Sequence, residues 1–187
     1  NNNIPFMGGG PNSTFRLSYN NTSIKGIEPN TNLRRNNLSF AGTLNVTDKL
    51  LLSTHLNYAN NKAIRPSQGY QQLGSRNMYQ WFQRNLEMNK LKQYRYSDGT
   101  VYHWNLNDPN TEGVYENLTP IDWNNPYFDA YENPSNDSRD RFFGDVGLSW
   151  TIIPGLTVSG FVRRDGFTQN IDGRNAVGGR GVPGFWI

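Results

Sequence analysis

The chain holds 187 residues with a formal net charge of +3, a mean hydropathy of −0.76 and no cysteine. A disulfide scaffold and a thiolate metal centre are thereby excluded, and no apolar run approaches the roughly 18 residues of a membrane helix. The charge is small and the basic residues are scattered, so nucleic acid is not an expected partner.

In chain order, residues 1–12 are rich in asparagine and glycine and read as a loop, closing on Gly8, Gly9, Gly10 and Pro11. A first strand is expected over about 13–23, with Phe15, Leu17 and Tyr19 on one face and Thr14, Arg16 and Ser18 on the other. Gly26, Pro29 and Asn30 mark a connection of moderate length. The second strand, about 35–46, carries Leu38, Phe40, Leu44 and Val46 in alternation with Ser39, Ala41, Thr43 and Asn45. A tight turn at Thr47-Asp48-Lys49 leads to the third, about 50–60, where Leu50, Leu52, Leu56 and Tyr58 repeat the beat.

Residues 61–138 break the rhythm, and an insertion this long should hold structure of its own. The spacing of Met78, Trp81, Phe82 and Leu86 predicts a helix over 75–91. Turn signals follow at Asp98-Gly99, Asp108-Pro109, Asn125-Pro126 and Asn133-Pro134, with short strands expected around 93–96 and 100–106. The fourth strand, about 139–152, bears Phe142, Val146, Leu148, Trp150 and Ile152. It turns tightly at Ile153-Pro154-Gly155 into the fifth, about 156–168, with Leu156, Val158 and Val162. Residues 169–187 read as the opening of another long loop.

Tight turns thus recur at one end of the strands and long connections at the other. That asymmetry, with a polar and an apolar face on every strand, is the pattern of an antiparallel up-and-down transmembrane β-barrel. Low mean hydropathy agrees with it, because only alternate residues of such a strand meet lipid. Five strands are too few to close a barrel, which starts at about eight, and open edges have no place in lipid. The chain also lacks a signal peptide at its start. It is therefore expected to be an interior piece of a longer polypeptide.

Several blocks resemble SusC/RagA-type TonB-dependent outer-membrane transporters. They are Phe15-Arg16-Leu17-Ser18-Tyr19, then Gly26-Ile27-Glu28-Pro29-Asn30-Thr31 and its following strand, then Arg65-Pro66-Ser67. Asn125-Pro126-Tyr127 follows, running on through Asp137, Arg139, Asp140, Arg141, Phe142, Phe143 and Gly144. The run from Pro154 to Gly160, ending near Asp165, completes the set. The likeness spans nearly the whole chain and weakens over 92–124. It implies a barrel of about 22 strands plugged by an N-terminal domain, energised through TonB. It also implies a SusD-like surface lipoprotein as lid, and oligosaccharide or peptide cargo. The plug and the TonB-contacting segment are absent from these residues.

The insertion is dense in aromatic rings set among Asn, Asp and Arg, a mixture suited to stacking on sugars or peptides while bonding their polar groups. Tyr102, Trp104, Trp123 and Tyr127 are the candidate ligand contacts; the competing expectation is that such rings pack the insertion against itself or a lid. Leu38, Phe40, Leu44, Leu52, Leu56, Val146, Leu148, Val158 and Val162 are the expected lipid-facing residues, with Tyr19, Tyr58 and Trp150 as interfacial aromatics. Arg16, Asn45, His55, Asn57, Asp145, Arg163 and Asp165 fall on polar or mixed faces, where Asp and Arg would pair in a lumen.

Enzymatic activity, metal and cofactor are not expected. His55 and His103 have no triad partner or ligand spacing. Glu112 and Glu116 are a weak imitation of a glycosidase pair, and Asp137, Ser138 and Asp140 do not form an EF-hand pattern. Two readings compete with the transporter: a secreted β-sandwich that binds carbohydrate through aromatic loops, and a non-transporting barrel that is a structural partner in an envelope complex.

Overall fold

The computed structural model describes residues 1–65, 82–106, 120–121 and 123–179. The fold is all-β. Strands β1 (Asn2–Gly10), β2 (Ser13–Lys25), β3 (Asn32–Thr47), β4 (Leu50–Arg65), β5 (Ser135–Ile153) and β6 (Leu156–Gly173) form one six-stranded antiparallel sheet in sequential order. Two short helices, α1 (Met88–Lys92) and α2 (Pro126–Glu132), lie between β4 and β5 in the chain. Contacts divide the chain into two compact units. One is Asn1–Ile24, Leu33–Ala63 and Asp137–Asn170, essentially the sheet; the other is Lys25–Asn32, Ile64–Asn136 and Ile171–Ile187.

The sheet is longer-stranded and wider than its alternation alone indicates. β1 was expected to be loop; instead Asn2–Gly10 pairs with β2 through a register running from Asn2↔Asn21 to Gly10↔Ser13. The ring of Phe6 meets that of Phe15 at 5.8 Å, a cross-strand pair of the kind that holds antiparallel neighbours together. Asn, Pro and Gly disfavour strands on their own, so an edge strand of this composition is held by its neighbour. β2, β3, β4, β5 and β6 each extend two to five residues past their expected limits at the long-connection end. The insertion accordingly narrows to 66–134.

Three two-residue turns, at Pro11-Asn12, Asp48-Lys49 and Pro154-Gly155, now occupy one end of the sheet. Adjacent hairpins are tied there by Asn45 N–H to the Asn12 carbonyl (2.7 Å) and Thr151 N–H to the Lys49 carbonyl (2.8 Å).

Side-chain bonds between neighbouring strands fix which residues share a face, since a side chain cannot reach through the sheet. Thr14 bonds Thr43 (2.6 Å), Arg35 bonds Asn61 (2.9 Å), His55 meets Asp145 (3.4 Å) and Ser149 bonds Ser159 (2.7 Å). Those residues define one polar face. By alternation the opposite face gathers Leu38, Phe40, Leu44, Leu52, Leu56, Val146, Leu148, Val158 and Val162 together. Six of the nine are exposed, from Leu44 at 42% to Val162 at 77%, and the other three are half-buried.

Among the described residues, the fully buried apolar side chains are Leu91, Val101 and Phe128, and all three belong to the second unit. The sheet has no core of its own. Of the helix expected over 75–91, residues 75–81, including Trp81, lie outside the described residues. Residues 82–87 are not helical, Glu87 is an extended N-cap, and the helix is Met88–Lys92. Phe82 is 44% exposed rather than packed on a helix. The strands expected at 93–96 and 100–106 reduce to single bridges, Arg95↔Val101 and Leu106↔Pro120.

Candidate functional site

The four aromatic candidates lie in the inserted unit, around one short segment, Asn124-Asn125. Asn125 caps α2: its Oδ1 accepts the Tyr127 N–H (2.9 Å), and Pro126 takes the first helical position, where a missing N–H costs nothing. The Asn125 amide then donates to the Leu91 carbonyl (3.0 Å) and the Tyr102 carbonyl (2.7 Å). One buried side chain thereby joins α1, α2 and the Tyr94–Tyr102 hairpin. That hairpin turns at Asp98-Gly99, where Asp98 Oδ1 accepts the Thr100 N–H and draws the Asp98 carboxyl below its ordinary range.

His103 is 2% exposed and lies edge-on to Phe128 at 5.9 Å. Its Nδ1 accepts the Asn125 N–H (3.0 Å), which leaves Nε2 to donate to the Gly178 carbonyl (2.8 Å). Burial, the larger influence, lowers its pKa, so the ring is neutral and structural. Gly178 has a φ of 101°, and a Cβ there would stand 2.8 Å from Val101 Cγ2. Only glycine lets the segment after β6 lie so close over Val101. The same segment is tied by Ala176 N–H to Asn133 Oδ1 (2.6 Å). Asp129 Oδ1 accepts both the Asn133 and Asn124 amides at 2.8 Å, yet desolvation outweighs them and pushes its pKa up to about 6.

Tyr102, Trp104, Trp123 and Tyr127 are all half-buried. The Trp104 indole N–H donates to the Asn124 carbonyl at 3.3 Å. With its amide turned so that nitrogen meets acceptor and oxygen meets donor, Asn105 spans both main-chain groups of Trp123, donating to its carbonyl (2.6 Å) and accepting its N–H (3.1 Å). Tyr102 meets Tyr96 edge-on at 5.6 Å; Tyr94 stacks on Tyr131 at 6.1 Å and meets Phe128 at 6.3 Å. Much of the aromatic density therefore packs the unit against itself. Arg95 completes it with a fork onto Glu132, 2.6 Å at each oxygen, which lowers the Glu132 pKa and lies 5.6 Å from the Phe128 ring centre.

The polar face of the sheet holds two concavities. One, of about 540 Å³, is lined by Met7, Gly8, Gly9, Thr14, Phe15 and Arg16 with Ala41, Gly42, Thr43 and His55. The other, of about 280 Å³, crosses β3, β4 and β5 and is lined by Arg35, Asn37 and Ser39, Asn57, Tyr58, Ala59 and Asn61, and Arg139, Arg141 and Phe143. Expected polar pairings are present in part: His55 meets Asp145, whereas Asp165 pairs with Arg141 and Arg163 lies over the Phe161 ring at 5.3 Å. The three-arginine groove was not foreseen. Its signal is that Arg35, Asn57, Asn61, Arg139 and Arg141 all fall on the parity opposite to Leu38, Leu56 and Leu148 of their strands.

Asp140 accepts Tyr58 Oη (2.6 Å) and the Asn60 amide (2.7 Å), and Asp137 accepts the Gln169 amide (2.8 Å). Among the described residues no group of three His, Asp or Glu side chains is placed to hold a metal. Glu112 and Glu116 lie outside the described residues. No protein-family model matches the chain, and no curated protein matches it significantly.

Proposed function

We propose that the chain is part of the wall of an outer-membrane β-barrel, and that the whole protein is a TonB-dependent transporter of the SusC/RagA type. The observation that carries the barrel reading is the division of one long sheet into an exposed apolar face and a mainly polar face, interrupted by Phe143, Phe161 and Phe167. An apolar patch of this extent is a liability in water and favourable against acyl chains. On β5 the apolar alternation from Phe142 to Ile152 covers about eleven residues, the length a tilted strand needs to cross the hydrocarbon core. Tyr19 and Tyr58 border that face towards the long connections, with hydroxyls bonded to Asn36 (2.8 Å) and Asp140; Trp150, 52% exposed, lies near the tight turns. Aromatics at both borders suit the two membrane interfaces. β1 and β6 are the outer strands of this sheet and have edges able to continue into further wall.

The transporter assignment rests on the order and spacing of the resembling blocks. On this reading the long connections face outward and meet a SusD-like lid, and Tyr102, Trp104, Trp123 and Tyr127 contact oligosaccharide or peptide cargo. The polar face lines the lumen, and outer-membrane lipid covers Leu38, Phe40, Leu44, Leu52, Leu56, Val146, Leu148, Val158 and Val162. The proposed activity is transport, energised through TonB, and not catalysis.

These 187 residues hold no cysteine, so the test needs only that any cysteine elsewhere in the full-length protein be replaced by serine. Single cysteines replace Val146, Leu148 and Val158, or Asn57, Ser149 and Ser159, in the full-length protein reconstituted in liposomes. Labelled with a small uncharged fluorophore, the first set should be quenched by brominated acyl chains, and unlabelled it should be spared by a charged maleimide; the second set should do the reverse. Reaction of both sets from water would sink the barrel and favour the soluble β-sandwich. Uptake of labelled cargo that persists without TonB would remove the transporter assignment while leaving the wall intact.

A further inference from the structure

We infer that the groove across β3, β4 and β5 on the polar face is a binding site for a small oxyanion, a carboxylate or phosphate ligand. Three guanidinium groups, Arg35, Arg139 and Arg141, line it, and no carboxylate does. Asp165 is the nearby counter-charge. It is engaged by Arg141 through both Nε (2.9 Å) and Nη2, and it also feels Arg139. The lining itself carries three positive charges and no negative one, and Asp165 answers Arg141 from outside it.

The state of each arginine sharpens the inference. Arg35 uses Nε on Asn61 Oδ1, a neutral partner, and among the described residues no acid forms an ion pair with it. Arg139 lies 4.1 Å from the Phe167 ring centre, and its Nε is buried without an acceptor. Arg141 is held over Phe143 at 4.8 Å as well as by Asp165. Ring faces and amides thus hold the three forks in place, which lowers the entropy lost when an anion arrives. A planar fork matches carboxylate and phosphate oxygens bidentately, and Asn57 adds an amide for a neighbouring hydroxyl or carbonyl. A volume of about 280 Å³ limits the occupant to a small molecule. The site does not depend on what the apolar face meets, so it stands or falls separately from the barrel.

The experiment is calorimetric titration of the full-length protein in detergent, at low salt, with citrate and with pyrophosphate as probes and maltose as the neutral control. Binding by citrate alone identifies a carboxylate site, and binding by pyrophosphate alone a phosphate site. Either should weaken by about tenfold or more in R35Q and in R139Q, the loss of one charged hydrogen-bonding group. R163Q, which removes the same charge from the polar face outside the groove, should bind as the parent does. The variants R35K and R139K retain charge without the fork and should bind less tightly than the parent. They also serve as the test if a glutamine variant loses its strand signal. No heat with either anion, equal binding of maltose, or equal weakening in R163Q overturns the site.

Discussion

At the scale of single residues, two titrating groups in the inserted unit pull in opposite directions. His103 is kept neutral by burial with its pKa below the ordinary 6.5, so stability held above that pH is lost as the medium acidifies and the unfolded chain alone takes up the proton. Asp129 has its pKa raised from 3.8 to about 6, so its folded form gains a proton first. Its contribution grows as pH falls through about 6 and is complete below 3.8. The two effects oppose one another as pH falls below about 6 and partly cancel. Asp129→Asn keeps an oxygen for the Asn124 and Asn133 amides but removes the titration. The variant should be more stable than the parent at neutral pH and lose stability more steeply on acidification, as followed by tryptophan emission in denaturant titrations. Parallel pH profiles would show that Asp129 is not held protonated by burial.

At the scale of elements, the contact between β4 and β5 depends on Gly144. A Cβ at this position would collide with the His55 carbonyl oxygen and stand 3.0 Å from Leu56 Cα. Both obstacles are main chain and cannot swing aside, unlike the phenylalanine rings that face Gly8 and Gly147. Gly144→Ala should therefore destabilise the refolded protein by about 2 kcal/mol or more, a lowered denaturant midpoint with strand content preserved. Gly160→Ala, on β6 with open space around its Cβ, should stay within about 0.5 kcal/mol. Equal midpoints for the two variants would mean that β4 and β5 do not approach so closely. α2 teaches a different lesson. Asn125-Pro126 was read as a turn, yet Asn at the cap and Pro at the first position is equally a helix-start signal. The pair is ambiguous until the Leu91 and Tyr102 carbonyls claim the Asn125 amide.

At the scale of the whole molecule, the two sheet faces should respond to charge in opposite ways. On the proposed barrel reading, Val146→Arg puts a cation against the middle of a bilayer, at a cost of about 2–4 kcal/mol. Ser149→Arg, three residues on and on the polar face, should leave stability nearly unchanged. Unfolding in liposomes by denaturant reads the difference directly. Equal effects at both positions would mean that Val146 does not face lipid. On the proposed reading a wall that buries one face in lipid needs no protein core, in keeping with Leu91, Val101 and Phe128, buried among the described residues, all lying in the inserted unit.

The sequence by itself determined the strands whose residues alternate strictly, the three-part asymmetry of short and long connections at β3–β4, β5–β6 and the insertion, and the nine apolar residues of one face. Those features are local, written in a period of two that any strand must obey. Only the tertiary structure decided the rest. β1 exists because β2 offers it a partner, against its own asparagine, proline and glycine composition. The insertion's core needs Leu91, Val101 and Phe128 from three separate segments, joined by Asn125 and closed by Gly178. The arginine groove arises from the register that sets β3, β4 and β5 side by side. A charge at Arg35 and another at Arg139 are distant in the chain, and cross-strand pairing alone turns them into one site.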